Sequence, residues 1–537
     1  MLGALFVTAA GLFVICYFLY GRYMRNVYKL DNAHKAPSET CYDGVDYCPA
    51  HPSVLLGHHF SSIAGAGPIV GPIAAASLFG WLPTYLWCVI GSAFFGGPHD
   101  MGSVVSSMRH EGKSVGEVVD RWIGRRGKLL FLCFTWLTLV LVVAVFLQLS
   151  ADTFAADPAV AFSGTLYILL ALIFGVLVYR LKLPLLYTSL AMVPLVLGAV
   201  VYGHYADWVQ TIFAIPMERW RWILIGYVFV ASILPVWLLL QPRDYLASYL
   251  LYFAVIVGMV GILFGGFNEI SLPAFKSFTP AEATYLWPLL FVMVACGAIS
   301  GFHCMVGSGT TSKQIRCETD AQFIGYGAML LEGLVAVVAL GTIMVVGSLL
   351  NNNPMETYGA GFGRFAQVLG IEPGLGKSLG LLAVNSFILT SLDTATRLGR
   401  YQLQELSNGR LDRYTATLIG VAGAMGLLYV RSGDVPAWKL IWPVFGASNQ
   451  LVAALALLAV SVWVIKGLKK GAMFLMLPMV FMLLTTLAAL VLLVTSNWGK
   501  GNYLLVAIGV VLFALALLLV HEAYKALRAP ARQYTSD

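Results

Sequence analysis

Apolar residues run in long blocks from one end of the chain to the other, with polar residues gathered in short stretches between them. Blocks of about 18 or more apolar residues are long enough to cross the hydrocarbon layer as helices. Lipid offers exposed backbone no hydrogen-bond partner, so only helices or a closed barrel can span it. Barrel strands would alternate apolar and polar positions, which runs such as LLVAIGVVLFA followed by LALLLVHEAYKAL do not. The pattern predicts an all-α polytopic membrane protein. About fifteen spans fall near residues 2–21, 57–78, 81–106, 129–151, 163–180, 183–203, 221–241, 245–266, 285–310, 323–349, 378–396, 415–430, 438–465, 472–494 and 502–523.

Three of these spans carry helix breakers. The second contains SSIAGAGP, with Pro68 and Pro72. The seventh contains ASILPVWLLLQPRDY, with Pro235 and Pro242 around Gln241, and the ninth contains ACGAISGFHCMVGSGTTSK. An interior Pro costs a helix roughly 3 kcal/mol, and an interior Gly about 1 kcal/mol relative to Ala. The freed backbone groups survive at membrane depth only where protein, water or a ligand meets them. Spans two and seven lie five positions apart and run in opposite directions, which points to inverted repeats. The expected organisation is an N-terminal helix (1–22), a core over 57–400 built from repeats 57–203 and 221–400, and additional helices over 414–525.

Composition agrees with this reading, since 59% of the 537 residues are hydrophobic and 11% are charged. The net charge of +7 is explained by topology. With the N-terminus outside, most Lys and Arg residues, including the run from Arg109 to Lys128 and the tail cations Lys525, Arg528 and Arg532, fall on the cytoplasmic side. The expected location is the inner (plasma) membrane, multi-pass, with a cytoplasmic C-terminus and the lipid bilayer as partner; nucleic acid is not an expected partner. The first span lacks a basic leader and a small-residue cleavage site, so it is read as a retained helix. The eight Cys residues do not form a disulfide framework, and Cys41 and Cys48 lack two further ligands for a zinc site. The segment VGEVVDRWIGRR is expected to lie as an amphipathic helix on the inner face, and 350–377 to form an outer loop.

Several long blocks together give the chain a likeness. GHHFSSIAGAGPIVGP, FFGGPHDMGSVVSSMRHEGKSVGEVV, LPVWLLLQPRDY, SGFHCMVGSGTTSKQI, LTSLDTATRLGRYQLQEL and WPVFGASNQLVAALALL resemble the carbon starvation protein A family, over about residues 1–525. The resemblance implies a transporter similar to the amino acid–polyamine–organocation type, with a five-plus-five inverted-repeat core. It also implies uptake of pyruvate or of peptides during nutrient limitation.

The candidate site follows from the broken spans. An unwound segment exposes N–H groups at a half-helix N-terminus, where a carboxylate would be received. Ser61, Ser62, Gly65 and Gly67 are the expected cradle, with close helix packing as the competing role. Gln241 and Arg243 follow the seventh-span break, and the Arg243 guanidinium suits a carboxylate unless it is a membrane-face anchor. By analogy with the five-plus-five fold, Ser308, Thr310 and Thr311 offer hydroxyls to a coupling sodium ion, or else cap their helix beside Lys313. His58, His59 and His303 titrate near neutral pH and could relay a coupling proton, or could join helices by hydrogen bonds. His99, Asp100 and Glu332 are further ionisable groups at membrane depth. Asp393 and Arg397, four residues apart, are read as a local salt bridge, and Asn449 and Gln450 as amides joining helices or touching substrate.

These residues predict a secondary active transporter importing a small carboxylate such as pyruvate, or short peptides. Its drive would be a proton or sodium gradient, with no cofactor beyond the coupling ion and no catalytic or metal-binding residues. The competing classes are a membrane-embedded metalloenzyme and a substrate-gated channel or sensor. Neither H-E-x-x-H nor G-x-x-x-x-G-K-[ST] occurs.

Overall fold

The computed structural model describes residues 1–44, 47–235, 238–281, 284–428 and 437–528. Two residues of the seventh-span break, Val236 and Trp237, and the tail cation Arg532 lie outside the described residues. The chain is helical throughout, and among the described residues only isolated bridges pair extended backbone. Ten helices are long and apolar enough to cross a membrane, or eleven if one bent pair counts as a single span. Each of the fifteen windows read from the sequence contains helix, but the remainder are short or interrupted.

In chain order the helices are α1 (Leu2–Tyr28), then the bent pair α2 (Pro52–Ile63) and α3 (Gly67–Phe79), which meet at 45°. Next, α4 (Trp81–Gly91) continues through a π turn (Ser92–Gly96) into α5 (Gly97–Met108). After α6 (Val115–Trp122) come α7 (Arg125–Ala156), α8 (Pro158–Gly175), α9 (Leu185–Tyr205), α10 (Met217–Ile233) and α11 (Leu240–Phe264). The second interrupted span is α12 (Leu286–Met293) with α13 (Gly301–Gly309), followed by α14 (Gly327–Val346), which grows out of a π turn (Gln322–Tyr326). The rest are α15 (Pro354–Gln367), α16 (Pro373–Leu406), α17 (Arg413–Leu428), α18 (Ala437–Lys466), α19 (Met473–Gly499) and α20 (Tyr503–Arg528).

The long helices α7 and α16 pack on each other at the centre, and α18 packs on α7, α5 and α13. In the most apolar 18-residue window of α18, 94% of residues are buried, against 33% in the corresponding windows of α19 and α20. The region 414–525 therefore divides: α18 belongs to the centre of the bundle, while α19 and α20 lie at its rim. Their exposed Leu, Val and Tyr side chains suit a lipid-facing position.

Side-chain contacts gather the helix ends on two faces. Arg109 pairs with Glu318 and donates to the Lys29 carbonyl. Lys128 reaches Glu117 at 2.7 Å and Glu405 at 3.0 Å, so the ends of α1, α5 and α16 share one basic face with α6. On the opposite face Ser378 Oγ donates to Asp157 at 2.7 Å and Arg364 to the Val345 carbonyl at 2.9 Å.

Two readings change. The segment 350–377 is not a loop, because Pro354–Gln367 is a helix whose Tyr358, Phe362 and Phe365 are buried against α16 and α14. Asn353 caps it, accepting from the Met355 N–H at 2.9 Å. The seventh-span break is not inside a span either. Helix α10 ends at Ile233, and Leu234 takes extended backbone, as the residue before a proline prefers. Pro242 then sits in the first turn of α11, where its missing N–H costs nothing. The interruption that meets the first one in space lies in the ninth span. As expected, Val115–Trp122 is a helix, and it buries Val115, Val118 and Val119.

Candidate functional site

The two interruptions touch. Residues 64–66 separate α2 from α3, and residues 294–300 separate α12 from α13. A Cβ on Gly67 would collide with Cys296, and one on Gly97 with Tyr326. A Cβ on Gly297 would lie 3.4 Å from the Pro68 Cα, and one on Gly65 2.8 Å from the Phe146 ring. Gly65 and Gly67 thus let the first break press against α7 and the second break.

The second break is held by side chains of neighbouring helices. The Trp87 indole donates to the Val294 carbonyl at 3.2 Å, and Ser92 Oγ to the Gly297 carbonyl at 3.0 Å. From α18, Asn449 Oδ1 accepts from the Phe302 N–H at 2.9 Å while its Nδ2 donates to Ser300 Oγ at 2.9 Å. The adjacent Gln450 donates to the Phe291 carbonyl at 2.5 Å. Asn449 is in effect the missing N-cap of α13, supplied from another helix. At the first break Ser391 Oγ donates to the Ser62 carbonyl at 3.2 Å. The Ala66 and Gly67 N–H groups have no hydrogen-bond partner among the described residues, and no side chain caps α3.

Beside the breaks lies a buried chain of ionisable groups. His303, on α13, places Nδ1 2.8 Å from Asp100 Oδ2 and Nε2 3.2 Å from Glu332 Oε2. The other Asp100 oxygen meets His99 Nδ1 at 2.7 Å. His59, on α2, contacts Thr311 Oγ1 at 2.8 Å through Nδ1. All five ionisable side chains are buried. They come from α2, α5, α13 and α14: His303 ties α13 to α5 and α14, and His59 ties α2 to the turn after α13. Among the described residues no group of three or more His, Cys, Asp or Glu side chains is placed to hold a metal ion.

A second buried network surrounds Arg243. Its guanidinium pairs with Asp393, meets Asp244 Oδ1 at 3.2 Å and donates to the Tyr227 hydroxyl at 2.7 Å. Tyr227 in turn donates to Asp393 at 2.6 Å, and the Tyr167 hydroxyl donates to the Arg243 carbonyl. Arg243 is therefore neither a face anchor nor an open carboxylate receptor. Asp393 is paired with Arg243, not with Arg397. Arg397 donates instead to the Ala231 and Leu234 carbonyls at the end of α10, where a cation meets orphan acceptors. Asp244, Tyr227 and Tyr167 were missed by sequence reasoning. An acid adjacent to a membrane-depth arginine, in QPRDY, was the available signal for the first.

The remaining expected residues distribute as follows. Ser61 Oγ donates to the Asp244 carbonyl at 3.0 Å and Ser62 Oγ to Asp244 Oδ2 at 3.3 Å. His58 Nδ1 approaches the same carboxylate at 3.2 Å. Ser308 and Thr310 donate back to their own helix, at the Cys304 and Val306 carbonyls. A narrow cleft of about 50 Å³ brings His58, Ser62, Gln241, Asp244 and Thr310 together with Lys313. A second, wider cleft of about 280 Å³, with Lys113 and Glu405 in its wall, adjoins it on the basic face. From the opposite face an open cavity of about 390 Å³, lined by Val70, Met293, Trp442 and Lys500, reaches α3 and α12 of the two broken spans.

On the basic face beyond the spans, Glu111 and Lys113 pair at 2.8 Å. Their bond holds the carboxyl below and the ammonium above its ordinary pKa. His110 is buried there, its Nδ1–H donating to the Ser106 carbonyl and its Nε2 accepting from Trp122 at 2.8 Å. Burial pushes its pKa down, consistent with a neutral ring that has one donor and one acceptor nitrogen.

The family model described as carbon starvation protein CstA matches residues 2–359 and 347–489. The chain is 33% identical to the peptide transporter CstA of Helicobacter pylori, covering 90% of this chain and 80% of that one. It is 31% identical to the pyruvate/proton symporter BtsT of Escherichia coli, covering 92% and 80%. It is also 31% identical to the peptide transporter CstA of Escherichia coli, covering 93% and 81%. Among solved structures, a mutant manganese transporter of Eremococcus coleocola overlaps 88% of this chain and 94% of its own, at 12% identity and a TM-score of 0.48. That likeness is too distant to bear on mechanism.

Proposed function

We propose, for a chain that belongs to the carbon starvation protein CstA family, that it is a proton-coupled secondary transporter importing a small carboxylate or a short peptide across the inner membrane. The observation that carries this reading is His303 bridging Asp100 and Glu332 on the half-helix next to the second break. Charges at such depth are costly unless paired. The number of protons the cluster holds therefore depends on how closely α13 sits against α5 and α14. Protonation and helix position are then linked, each biasing the other. The relatives named as peptide transporters and as a pyruvate/proton symporter act on cargo that shares a carboxylate. The Ala66 and Gly67 N–H groups at the start of α3 are suited to receive it, with Ser62 beside them. The transporter would carry its N-terminus outside and its basic face to the cytoplasm.

The five-plus-five core is better read from the two breaks. Each broken span is followed by a helix bearing a π turn, at Ser92–Gly96 and at Gln322–Tyr326, and each repeat contributes one of the two long central helices, α7 and α16. On this reading α8 and α9 are inserted into the first repeat, and α18 closes the second. Alternating access would rock the layer carrying the breaks against α7 and α16.

The test is uptake of labelled pyruvate and labelled dipeptide by reconstituted vesicles under separately imposed proton and sodium gradients. Accumulation above equilibrium with the proton gradient alone is expected, and His303→Gln should flatten its pH dependence. Accumulation driven by sodium alone would remove proton coupling, and passive equilibration would favour a channel. Release of an altered product would favour an enzyme.

A further inference from the structure

The cargo's carboxylate needs a cation on its way through the protein, because an anion entering a low-dielectric cleft unpaired pays its full desolvation cost. Most cations around the cleft are committed. Arg243 lies between Asp393 and Asp244, Arg397 caps the end of α10, and Lys113 pairs with Glu111. Lys313 differs. Its ammonium stands 5.1 Å above the Tyr47 ring and makes no ion pair with a carboxylate among the described residues. It also lines both clefts on the basic face, which meet at Gly309, Lys313 and the α16 residues Leu398 and Tyr401. The passage there is tight: a Cβ on Gly309 would lie 3.1 Å from Leu398 Cδ2. Lys313 also follows the C-terminal end of α13, whose carbonyls would repel an anion.

We propose that Lys313 is the specificity-determining cation of the route between the first break and the basic face, receiving the carboxylate of the cargo where the two clefts meet. Cargo lacking that carboxylate is rejected there. The inference rests on the transport reading above and deepens it by naming the group the cargo must carry. The aromatic face of Tyr47 holds the ammonium in place without neutralising it, which leaves the charge available to a passing anion.

The test is exchange of labelled pyruvate and labelled dipeptide across reconstituted vesicles, which samples both faces. Lys313→Gln should raise the half-saturating concentration of either about tenfold to a hundredfold, the range for losing a charged hydrogen bond. Lys313→Arg should stay within about threefold, since it keeps the charge. A dipeptide with an amidated C-terminus should neither exchange nor compete in the wild type. An unchanged half-saturation in Lys313→Gln overturns the inference, as does free exchange of the amidated dipeptide. Should Lys313→Gln fail to insert, the amide competition in the wild type decides by itself. A wild type that moves neither labelled compound refutes the transport reading, and this inference falls with it.

Discussion

At the break between α12 and α13, four side chains from neighbouring helices meet the freed backbone: Trp87, Ser92, Asn449 and Gln450. At the break between α2 and α3, the Ala66 and Gly67 N–H groups stay without a partner among the described residues. Both interruptions lie at the middle of the bundle and they touch each other, so the difference is not one of depth. An unmet buried polar group costs about 1–3 kcal/mol, so an incoming anion would stabilise the first break at the start of α3. The second is held by those four side chains, although its Ala295, Cys296 and Gly297 N–H groups also have no partner among the described residues. It positions His303 and Ser308 with the rigidity of a capped helix. On the proposed function, the first break would bind cargo and the second would hold His303 still against α5 and α14.

The largest effect should come from forcing the breaks apart. Gly67→Ala puts a Cβ into Cys296, and overpacking of this kind costs about 1–3 kcal/mol. Loss of exchange and a lowered melting temperature are expected. The double variant Gly67→Ala with Cys296→Gly should recover most of both. Absence of recovery would mean that Gly67 matters for something other than the approach of the two breaks.

A middle-sized effect should come from uncapping the second break. Asn449→Leu strips the Phe302 N–H and Ser300 of their partner and should cost about 1–3 kcal/mol of stability, read as a fall in melting temperature. Asn449→Asp keeps the acceptor for Phe302 and should cost less. If Asn449→Leu melted like the wild type, the Asn449 cap would contribute nothing to holding the second break, and the contrast would disappear.

The smallest effect lies away from both breaks, at His110. Its folded-state pKa is lowered, so the unfolded chain binds its proton more readily. The stability this contributes is present above about pH 6.5 and is lost as pH falls through that value toward the folded pKa. His110→Gln should flatten the loss of melting temperature between about pH 7 and pH 5. An identical slope in the variant would assign that loss to other groups, the buried cluster around His303 first among them.

Much of this was legible in the chain. Runs of apolar residues marked the helices, and SSIAGAGP marked the first break, because helix propensity and proline sterics act within a few residues. The amphipathic helix at Val115–Trp122 was visible for the same reason. LPVWLLLQPRDY misled: its prolines were real breakers, but they served a turn between two helices. The segment 350–377 misled in the other direction, since its polar, Gly-rich composition hid a helix stabilised by burial of Tyr358, Phe362 and Phe365.

The sequence by itself determined an all-helical membrane protein, its basic face and both of its breaks, along with a third in the seventh span that proved to be a turn. Only the tertiary structure decided which two breaks face each other, that Arg243 is neutralised by Asp393 across 150 residues, and that Asn449 caps a helix 147 residues away. The physical reason is range. Local pattern fixes where backbone hydrogen bonds can form within a helix, whereas the partner of a freed carbonyl or a buried charge is whatever packing brings within about 3 Å.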